Sequence, residues 1–232
     1  MIPKKIHYCW FGRKSKPKLA KKCIASWRKL CSDYEIIEWN EDNFDIGMNA
    51  YTQSAYEEKK YAFLTDYARL LIIYDHGGIY FDTDVELLKP IDDLLVNKSY
   101  FGFEDSEHVN TGLGFGAEKE SIMIKLMQEE YQELLDRKSS FVGCPILNTK
   151  ALVKAGLVLN GKKQNLDSGT VYPIDYFNPY DDPTGRLNIT ENTYSIHWYA
   201  KSWMSKSIIL RSKITKPIHR LYRKDAFRKE EK

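Results

Sequence analysis

Hydrophobic positions near the start of the chain recur with two different periods. Over residues 4–11 apolar and polar side chains alternate, which predicts a β-strand that ends at Gly12. Over residues 17–30 the apolar side chains recur at helical spacing, and Pro17 suits the first turn of a helix. Residues 35–39 predict a second short strand. A strand, a helix and a strand in succession indicate an α/β fold with a mainly parallel central sheet flanked by helices.

A long amphipathic helix is predicted over residues 61–76, and Gly77-Gly78 ends it. Its apolar stripe consists of Phe63, Tyr67, Leu70, Leu71 and Tyr74. A β-branched and aromatic run at residues 79–81 predicts a buried strand directly after the glycines. Farther along, the pattern predicts strands over residues 99–103 and 112–115, and helices over 121–136 and 145–155.

Two carboxylates, Asp82 and Asp84, follow that buried strand. If the strand continues through Thr83, the two side chains point to the same side and repel each other unless a cation lies near them. Oxygen ligands of this kind suit Mg²⁺ or Mn²⁺, with the phosphates of a nucleotide-diphosphate sugar completing the coordination. An Asp-x-Asp triplet alone is common in turns. Its place at the carboxyl end of a strand, where α/β sheets bind ligands, favours a metal site.

Asp66 and Arg69 are three residues apart on the long helix and therefore share a face away from the apolar stripe. Two interpretations stay open. The residues form an exposed ion pair worth only about 0.5 kcal/mol, or Asp66 accepts hydrogen bonds from sugar hydroxyls while Arg69 donates to sugar or phosphate oxygens.

The composition is that of an ordinary globular domain: 232 residues, 43% hydrophobic and 29% charged. The 16 Tyr and 5 Trp suit stacking on bases or sugars, or a core. No apolar stretch approaches the roughly 18–20 residues that span a bilayer, and the N-terminus shows no signal peptide. None of the four cysteines forms a CxxC pair, so we expect reduced, buried thiols in a cytosolic protein. They are Cys9, Cys23, Cys31 and Cys144.

The C-terminal segment is strongly basic. Residues 201–232 carry eleven Lys or Arg and three acids, a net charge of +8 within a chain of net charge +3. We expect a basic, partly helical tail over residues 206–232. Residues 208–222 mix apolar and basic side chains, which favours docking on an anionic membrane surface. A plainly solvated terminus is the alternative, and no nucleic-acid partner is expected.

The run of residues 62–69, followed by Gly77 to Asp84, resembles the sugar-binding DXD region of glycosyltransferase family 32. That family includes yeast-type initiating mannosyltransferases and bacterial capsule enzymes, and is related to the catalytic domain of large clostridial glucosylating toxins. Residues 2–12 and 195–198 are similar to the start and the end of these proteins. The resemblance implies a GT-A type fold, a single nucleotide-binding domain over about residues 1–205.

The resemblance also implies roles for particular residues. Its donor-binding residues are Tyr8, Trp10, Asp66, Arg69, Asp82 and Asn110, its catalytic residues are Asp66, Arg69 and Asp82, and its metal ligands are Asp82, Asp84 and His197. Trp10 would stack on the nucleotide base, and a histidine ligand beside two carboxylates favours Mn²⁺ over Mg²⁺. Each role has a plainer alternative: Trp10 in the core, Asn110 in a turn and His197 as a structural histidine. Cys144 and Pro145 stand where the family often has Thr-Gly-Pro, a departure close to the acceptor side.

The implied reaction is retaining transfer from a nucleotide-diphosphate sugar, UDP before GDP, to a saccharide acceptor. The acceptor is expected to be lipid-linked, in surface or capsular polysaccharide synthesis. The expected location is the cytoplasm, peripheral on the inner face of the plasma membrane. Two other classes stay open: a glycoside hydrolase that uses Asp82 and Asp84, and a non-catalytic protein with a basic tail. Residues two apart in a strand lie too close for the about 6.5–9.5 Å of an inverting hydrolase pair, but not for a retaining pair.

Overall fold

The computed structural model describes residues 1–200 together with Lys216 and His219. Apart from these two residues, the basic tail lies outside the described residues. The boundary near residue 205 and the docking of the tail therefore stay predictions. In the described part, no helix is both long and apolar enough to cross a bilayer. All four cysteines are buried free thiols.

The described part of the chain alternates between helices and short strands. Its α-helices are α1 (Lys18–Leu30), α2 (Ala50–Glu57), α3 (Tyr61–His76), α4 (Ile122–Glu129), α5 (Gln132–Leu135), α6 (Cys144–Lys154) and α7 (Ile174–Phe177). Its strands are β1 (Lys5–Cys9), β2 (Glu35–Trp39), β3 (Gly78–Tyr80), β4 (Val85–Leu87), β5 (Ser99–Gly102), β6 (Phe115–Ala117), β7 (Gln164–Leu166), β8 (Gly169–Tyr172), β9 (Tyr180–Asp181), β10 (Arg186–Leu187) and β11 (Ser195–His197). Short 3-10 helices occupy Ile46–Met48, Asp92–Leu94 and Thr111–Leu113.

The central sheet has the strand order β2-β1-β3-β6-β5-β8-β7. Strand β1 is parallel to both β2 and β3, and β5 is parallel to β8. Strand β6 runs antiparallel to β3 and to β5, and β7 runs antiparallel to β8. Five of the seven strands thus point the same way, so the predicted mainly parallel sheet is confirmed. Strand β6 inside the sheet and strand β7 at its edge run in the opposite direction, so the sheet is mixed.

Helices cover both faces of this sheet. Along β3, Ile79 packs into the hydrophobic cluster that includes α1, and Tyr80 packs into the cluster that includes α3, because neighbouring residues of a strand face opposite sides. On the α1 side, Trp27 is fully buried and its indole N–H donates to the Val85 carbonyl at 2.8 Å. This bond fixes the backbone directly after Asp84.

A two-stranded sheet connects the middle of the chain to its far end. Strand β11 pairs antiparallel with β4, and His197 lies opposite Val85 in the register. The pairing therefore brings His197 next to Asp84, although the two are more than a hundred residues apart in sequence.

Two predicted elements are wrong in part. Residues 112–115, expected as a strand, begin in a 3-10 helix, because the Asn110 carboxamide oxygen accepts a hydrogen bond from the Gly112 N–H and caps that turn. The helix expected over residues 121–136 is broken into α4 and α5. At the break the Tyr131 N–H bonds to the Gln128 carbonyl, three residues back, and the Tyr131 side chain is fully buried. The remaining predicted elements are confirmed to within a few residues at each end.

His7 on β1 is buried in its neutral form. The Trp39 indole N–H donates to His7 Nδ1 at 3.1 Å, so the proton lies on Nε2, which donates to the Gly77 carbonyl at 3.0 Å. Burial lowers the pKa of His7 from 6.5 to about 4, and although the Gly77 carbonyl opposes this, the nearby His76 and Lys5 charges add to it. The folded protein therefore resists protonation of a group that the unfolded chain protonates readily.

We expect the unfolding free energy to fall as the pH drops from about 6.5 to about 4, because only the unfolded state binds the His7 proton in that range. One tenfold change in proton affinity is worth about 1.4 kcal/mol, so the loss from His7 is about 3 kcal/mol. Urea unfolding at several pH values measures it. His7→Gln keeps a donor and an acceptor but does not titrate, so its unfolding free energy should fall by about 3 kcal/mol less than that of the wild-type protein over this pH range. The same pH dependence of the unfolding free energy in both proteins would contradict the assignment.

Candidate active site

The site begins where α3 gives way to β3. Gly78 has φ of +107°, and a Cβ there would lie 2.8 Å from the Lys5 carbonyl oxygen. Glycine therefore lets β3 enter the sheet beside β1. The strand ends at Tyr80, and the Val85 N–H donates to the Asp82 carbonyl at 3.0 Å. The strand therefore does not continue through Thr83, which was the condition for strand alternation to place both acids on one side. A tight turn, rather than strand alternation, brings Asp82 and Asp84 together.

Asp82, Asp84 and His197 form a group with the geometry of a metal site. One ligand atom from each residue lies within 4.8 Å of the others. His197 Nε2 is 3.3 Å from Asp84 Oδ1, and among the described residues His197 Nδ1 is buried without a hydrogen-bond partner. Two carboxylates and an imidazole are ligands that Mn²⁺ accepts in proteins. These residues therefore fit a divalent cation.

The two acids of the turn have opposite electrostatic environments. Burial would raise the pKa of Asp84, but His197 and the Ala200 N–H, which donates to Asp84 Oδ2 at 2.7 Å, lower it below its usual value. In turn, Asp84 raises the pKa of His197 against the effect of burial. For Asp82, burial and the nearby Asp84 charge outweigh the Arg69 guanidinium and raise its pKa to about 6. Partly uncompensated negative charge therefore collects at the turn, which favours binding of a cation.

Arg69 is buried in the site and joins two of its carboxylates. Its side chain is 2% exposed, and Nη2 lies 2.7 Å from Asp66 Oδ1 and 3.1 Å from Asp82 Oδ1. The guanidinium also lies 4.9 Å from the centroid of the Tyr80 ring, whose hydroxyl donates to Asp82 at 3.3 Å. Burial raises the pKa of Asp66, and Arg69 partly offsets this. The interpretation of Asp66 and Arg69 as an exposed ion pair is therefore wrong.

Asn110 reaches the same place from the loop after β5. Its Oδ1 accepts from the Gly112 N–H at 2.6 Å and from the Cys144 thiol at 3.3 Å. Its Nδ2 donates to Glu104 Oε1 at 3.1 Å. Asn110 is thus a turn-capping residue, as the plainer interpretation held, and it also borders the site. Whether it binds a sugar stays a prediction.

Tyr8 and Trp10 lie in a separate cluster at the carboxyl end of β1. The Tyr8 hydroxyl donates to Glu38 Oε2 at 2.6 Å, and the Trp10 indole N–H donates to the Lys14 carbonyl at 2.5 Å. Lys16 pairs with Glu38 at 2.6 Å and lies 5.6 Å and 5.8 Å from the Tyr8 and Trp10 ring centroids. Tyr8 is buried, whereas the Trp10 ring stays partly exposed and available for stacking. Their roles at the nucleotide stay predictions.

Three further residues border the site without having been predicted from the sequence. The thiol and backbone N–H of Cys144, at the start of α6, face Asp66 and oppose the rise of its pKa. The Tyr199 ring lies 4.1 Å from the His197 ring, and its hydroxyl donates to Glu104 Oε1 at 2.9 Å. Cys144 had one signal, its departure from the family pattern. Glu104 and Tyr199 had none, because neither lies in a periodic segment.

Gly112 leaves room for the Asp82 carboxylate and the Asn110 carboxamide. A Cβ at this position would lie 2.7 Å from Asp82 Oδ2 and 2.9 Å from Asn110 Oδ1, closer than real Cβ atoms come. We expect Gly112→Ala to displace these side chains and lower activity about 10- to 100-fold, since small misplacements at a reacting centre are costly. The unfolding free energy should change by less than about 2 kcal/mol.

Steady-state rates and urea unfolding of the Gly112→Ala variant measure both effects. Gly47→Ala is the matched control, because its Cβ would meet only Asp45 Oδ1 at 3.5 Å, an ordinary contact. Full activity in Gly112→Ala would contradict the prediction, because it would show that the site tolerates displacement of the Asp82 and Asn110 side chains.

The chain has recognisable relatives. The family model described as "glycosyltransferase sugar-binding region containing DXD motif" matches residues 17–101, which include Asp66, Arg69, Asp82 and Asp84. Inositol phosphoceramide mannosyltransferase 1 of Schizosaccharomyces pombe is 27% identical over 110 residues, covering 43% of this chain and 33% of the yeast protein. The chain thus matches about a third of the length of that relative.

Two solved structures that match this chain are described as glycosyltransferases. The structure of the PaToxG glycosyltransferase matches with a TM-score of 0.50 and 21% identity, covering 66% of this chain and 69% of that chain. A glycosyltransferase involved in glycosylation of the major capsid of PBCV-1 matches with a TM-score of 0.46 and 13% identity, covering 91% and 98% of the two chains. Residues 17–101 thus match the DXD-containing sugar-binding region of glycosyltransferases, and the mainly parallel sheet belongs to a fold of the GT-A type.

Proposed function

We propose that this protein is a metal-dependent glycosyltransferase that moves a sugar from a nucleotide-diphosphate donor to a saccharide acceptor. One observation carries the proposal: the ligand atoms of Asp82, Asp84 and His197 lie within 4.8 Å of one another. This group shares Asp82 with the buried network of Asp66 and Arg69 inside the matched region. A metal group and a sugar-binding network joined by one residue suit a substrate that contains both a diphosphate and a sugar.

Asp84 and His197, with Asp82, would hold the divalent cation in this proposal. Such an ion, when bound, neutralises negative charge on the departing diphosphate. The Ala200 N–H fixes one oxygen of Asp84, and His197 lies near the other, so the carboxylate is already oriented. The mixed oxygen and nitrogen ligand set favours Mn²⁺, with Mg²⁺ as the second choice.

Arg69 acts in this proposal by holding Asp66 and Asp82 rather than by reaching a phosphate. Its Nε donates to the Thr65 carbonyl at 3.1 Å and its Nη2 is shared by the two carboxylates, so most of its donors are engaged. Full burial also keeps the guanidinium away from bulk solvent. The two carboxylates, fixed in this way, accept hydrogen bonds from hydroxyls of the donor.

The donor and the acceptor are narrower proposals. The resemblance to bacterial enzymes supports UDP as the nucleotide. The name of the yeast relative specifies mannose and inositol phosphoceramide, so GDP-mannose and a phosphoinositol lipid belong in the same test. We propose transfer with retention of configuration, in capsular or surface polysaccharide synthesis. A lipid-linked saccharide as acceptor fits the basic segment at residues 206–232, because that segment could dock on an anionic membrane. Under this proposal the protein works in the cytoplasm at the inner face of the plasma membrane.

Nucleotide release from a panel of UDP- and GDP-sugars tests the proposed function. We expect slow release from one donor with Mn²⁺, faster release with a saccharide acceptor, and loss of both on chelation with EDTA. Restoring Mn²⁺ in excess should restore the rate. Release from no donor, together with no Mn²⁺-dependent nucleotide binding, would contradict transferase activity. Hydrolysis of aryl glycosides without any nucleotide would favour a hydrolase instead.

A further inference from the structure

Polar side chains link the two ends of the active site in one continuous series. Between Asp66, in the sugar-binding network, and Asp84, in the metal group, the series runs through Cys144, Asn110, Glu104, Tyr199 and His197. Arg69 and Asp82 close the series on the other side. The series therefore connects the metal group with the network of Asp66 and Arg69. Glu104 is the one carboxylate in it to which neither the family resemblance nor the proposed function gives a role.

Glu104 is held firmly in the loop after β5. Its backbone N–H donates to the His108 carbonyl at 2.8 Å, and its carbonyl accepts from Asn178 Nδ2 at 2.9 Å. Phe103, just before it, forms a β-bridge with Val109. These bonds fix the backbone on both sides of the residue. The direction of the Glu104 side chain is therefore set by the fold.

The two oxygens of the Glu104 carboxylate have different surroundings. Oε1 accepts hydrogen bonds from Asn110 Nδ2 at 3.1 Å and from the Tyr199 hydroxyl at 2.9 Å. Across residues 1–200, Lys216 and His219, no hydrogen bond reaches Oε2. The side chain is partly exposed. Within the described part of the chain, the carboxylate is thus anchored by one oxygen and has no partner at the other.

The charge of Glu104 acts on both parts of the site. It raises the pKa of Asp66 at one end and of His197 at the other, although it is a minor cause in each case. Arg69 pairs with Asp66 and Asp82, and His197 pairs with Asp84. Among the described residues no cation pairs with Glu104, and it lies outside the metal-ligand group. Its free oxygen is therefore suited to a neutral hydrogen-bond donor rather than to a phosphate.

We propose that Glu104 is a substrate-binding residue whose Oε2 accepts a hydrogen bond from a sugar hydroxyl, while Oε1 holds Asn110 and Tyr199. This inference rests on the proposed function. The hydroxyl comes either from the sugar being transferred or from the acceptor saccharide. In both cases it is a donor to a charged acceptor, the stronger kind of hydrogen bond. A site built around such a bond discriminates sharply against a substrate that lacks the hydroxyl.

Glu104→Gln tests this directly, because the amide keeps an acceptor for Asn110 and Tyr199 but places an N–H₂ group where Oε2 was. With Mn²⁺, the affinity for UDP or GDP, whichever the donor panel selects, should stay within about twofold of the wild-type value. Transfer to octyl glucoside or octyl mannoside should fall about 10- to 100-fold, as expected for one lost hydrogen bond to a charged group. Calorimetry and nucleotide release measure the two quantities.

The release assay without acceptor separates the two sources of the hydroxyl. If the donor sugar supplies it, slow hydrolysis of the nucleotide-sugar falls as well, and the wild-type preference for that donor over its deoxy analogue disappears in the variant. If the acceptor supplies it, hydrolysis is unchanged and only transfer falls, with a higher KM for the glycoside. Glu104→Asp shortens the side chain by one methylene and moves the carboxylate away from the hydroxyl. It should lower the rate that falls in Glu104→Gln and leave the nucleotide affinity unchanged.

Glu107→Gln is the matched control, because this exposed acid lies in the same loop. Its rates should equal those of the wild-type protein. Wild-type rates in both Glu104→Gln and Glu104→Asp would overturn the inference and leave the proposed function intact. Loss of nucleotide affinity in either variant would overturn it too, by placing Glu104 with the metal and the diphosphate. Failure of the wild-type protein on every donor would instead refute the proposed function.

Discussion

Replacing Asp84 with alanine is expected to reduce Mn²⁺-dependent nucleotide release at least about 1000-fold. In the proposed reaction the bound metal ion would supply several kcal/mol of charge stabilisation at the leaving group, and each 1.4 kcal/mol is about tenfold in rate. Asp84 also organises its surroundings, since it accepts from the Ala200 N–H and pairs with His197. Its removal therefore affects the binding of the ion and the orientation of a second ligand together.

Nucleotide release at rising Mn²⁺ concentrations, with thermal unfolding as a check on folding, measures this effect. Asp136→Ala is the matched control, because this acid is exposed at the end of α5 and away from the metal group. EDTA should abolish release by the control variant and leave the residual rate of Asp84→Ala unchanged. An Asp84→Ala rate within tenfold of the wild-type rate at saturating Mn²⁺ would show that Asp84 is not an essential ligand.

Replacing Arg69 with methionine is expected to lower the free energy of unfolding by about 3–5 kcal/mol, because the buried Asp66 and the partly exposed Asp82 lose their shared cation. Methionine fills much of the same volume, so a cavity adds little to the loss. Asp66 and Asp82 are 2.7 Å and 3.1 Å from Arg69 Nη2, and without it they face each other unpaired. Urea unfolding at neutral pH measures the loss, and we expect nucleotide release to be lost with it.

Two further variants locate the cause of the loss. Arg13→Met removes an ion pair of similar length, 2.6 Å to Asp42, in which the side chains are 62% and 69% exposed. It should cost at most about 1 kcal/mol. Adding Asp66→Asn and Asp82→Asn to Arg69→Met should recover much of the stability, because no buried charge then remains unpaired. Equal costs for Arg69→Met and Arg13→Met would contradict the importance of burial.

Much of the fold could be predicted because its signals are local. Helix α3 has a clear helical stripe, two glycines end it, and the apolar run after them is a strand. The Asp-x-Asp triplet was located correctly for the same reason. The spacing of Asp66 and Arg69 could not decide between an exposed and a buried pair, since a separation of three residues is the same in both. Only the packing of α3 against Tyr80 decides it.

The rest of the site depends on contacts between distant parts of the chain. His197 could be proposed from the resemblance but not from any periodicity, because its position is set by the pairing of β11 with β4. Glu104 and Tyr199 carry no local signal and meet only when the loop after β5 approaches the segment after β11. The turn at Asp82 escaped prediction because a strand and a turn can follow the same apolar run.

The pairing of β11 with β4 also makes the site sensitive to local unfolding. If β11 detaches, His197 leaves Asp84, the Ala200 N–H leaves its carboxylate, and Tyr199 releases Glu104, all in one event. A ligand that binds only the closed arrangement shifts this equilibrium by mass action. If the group binds the proposed cation, ion binding and the pairing of β11 with β4 are therefore thermodynamically coupled, and the pairing becomes more stable as the metal concentration rises.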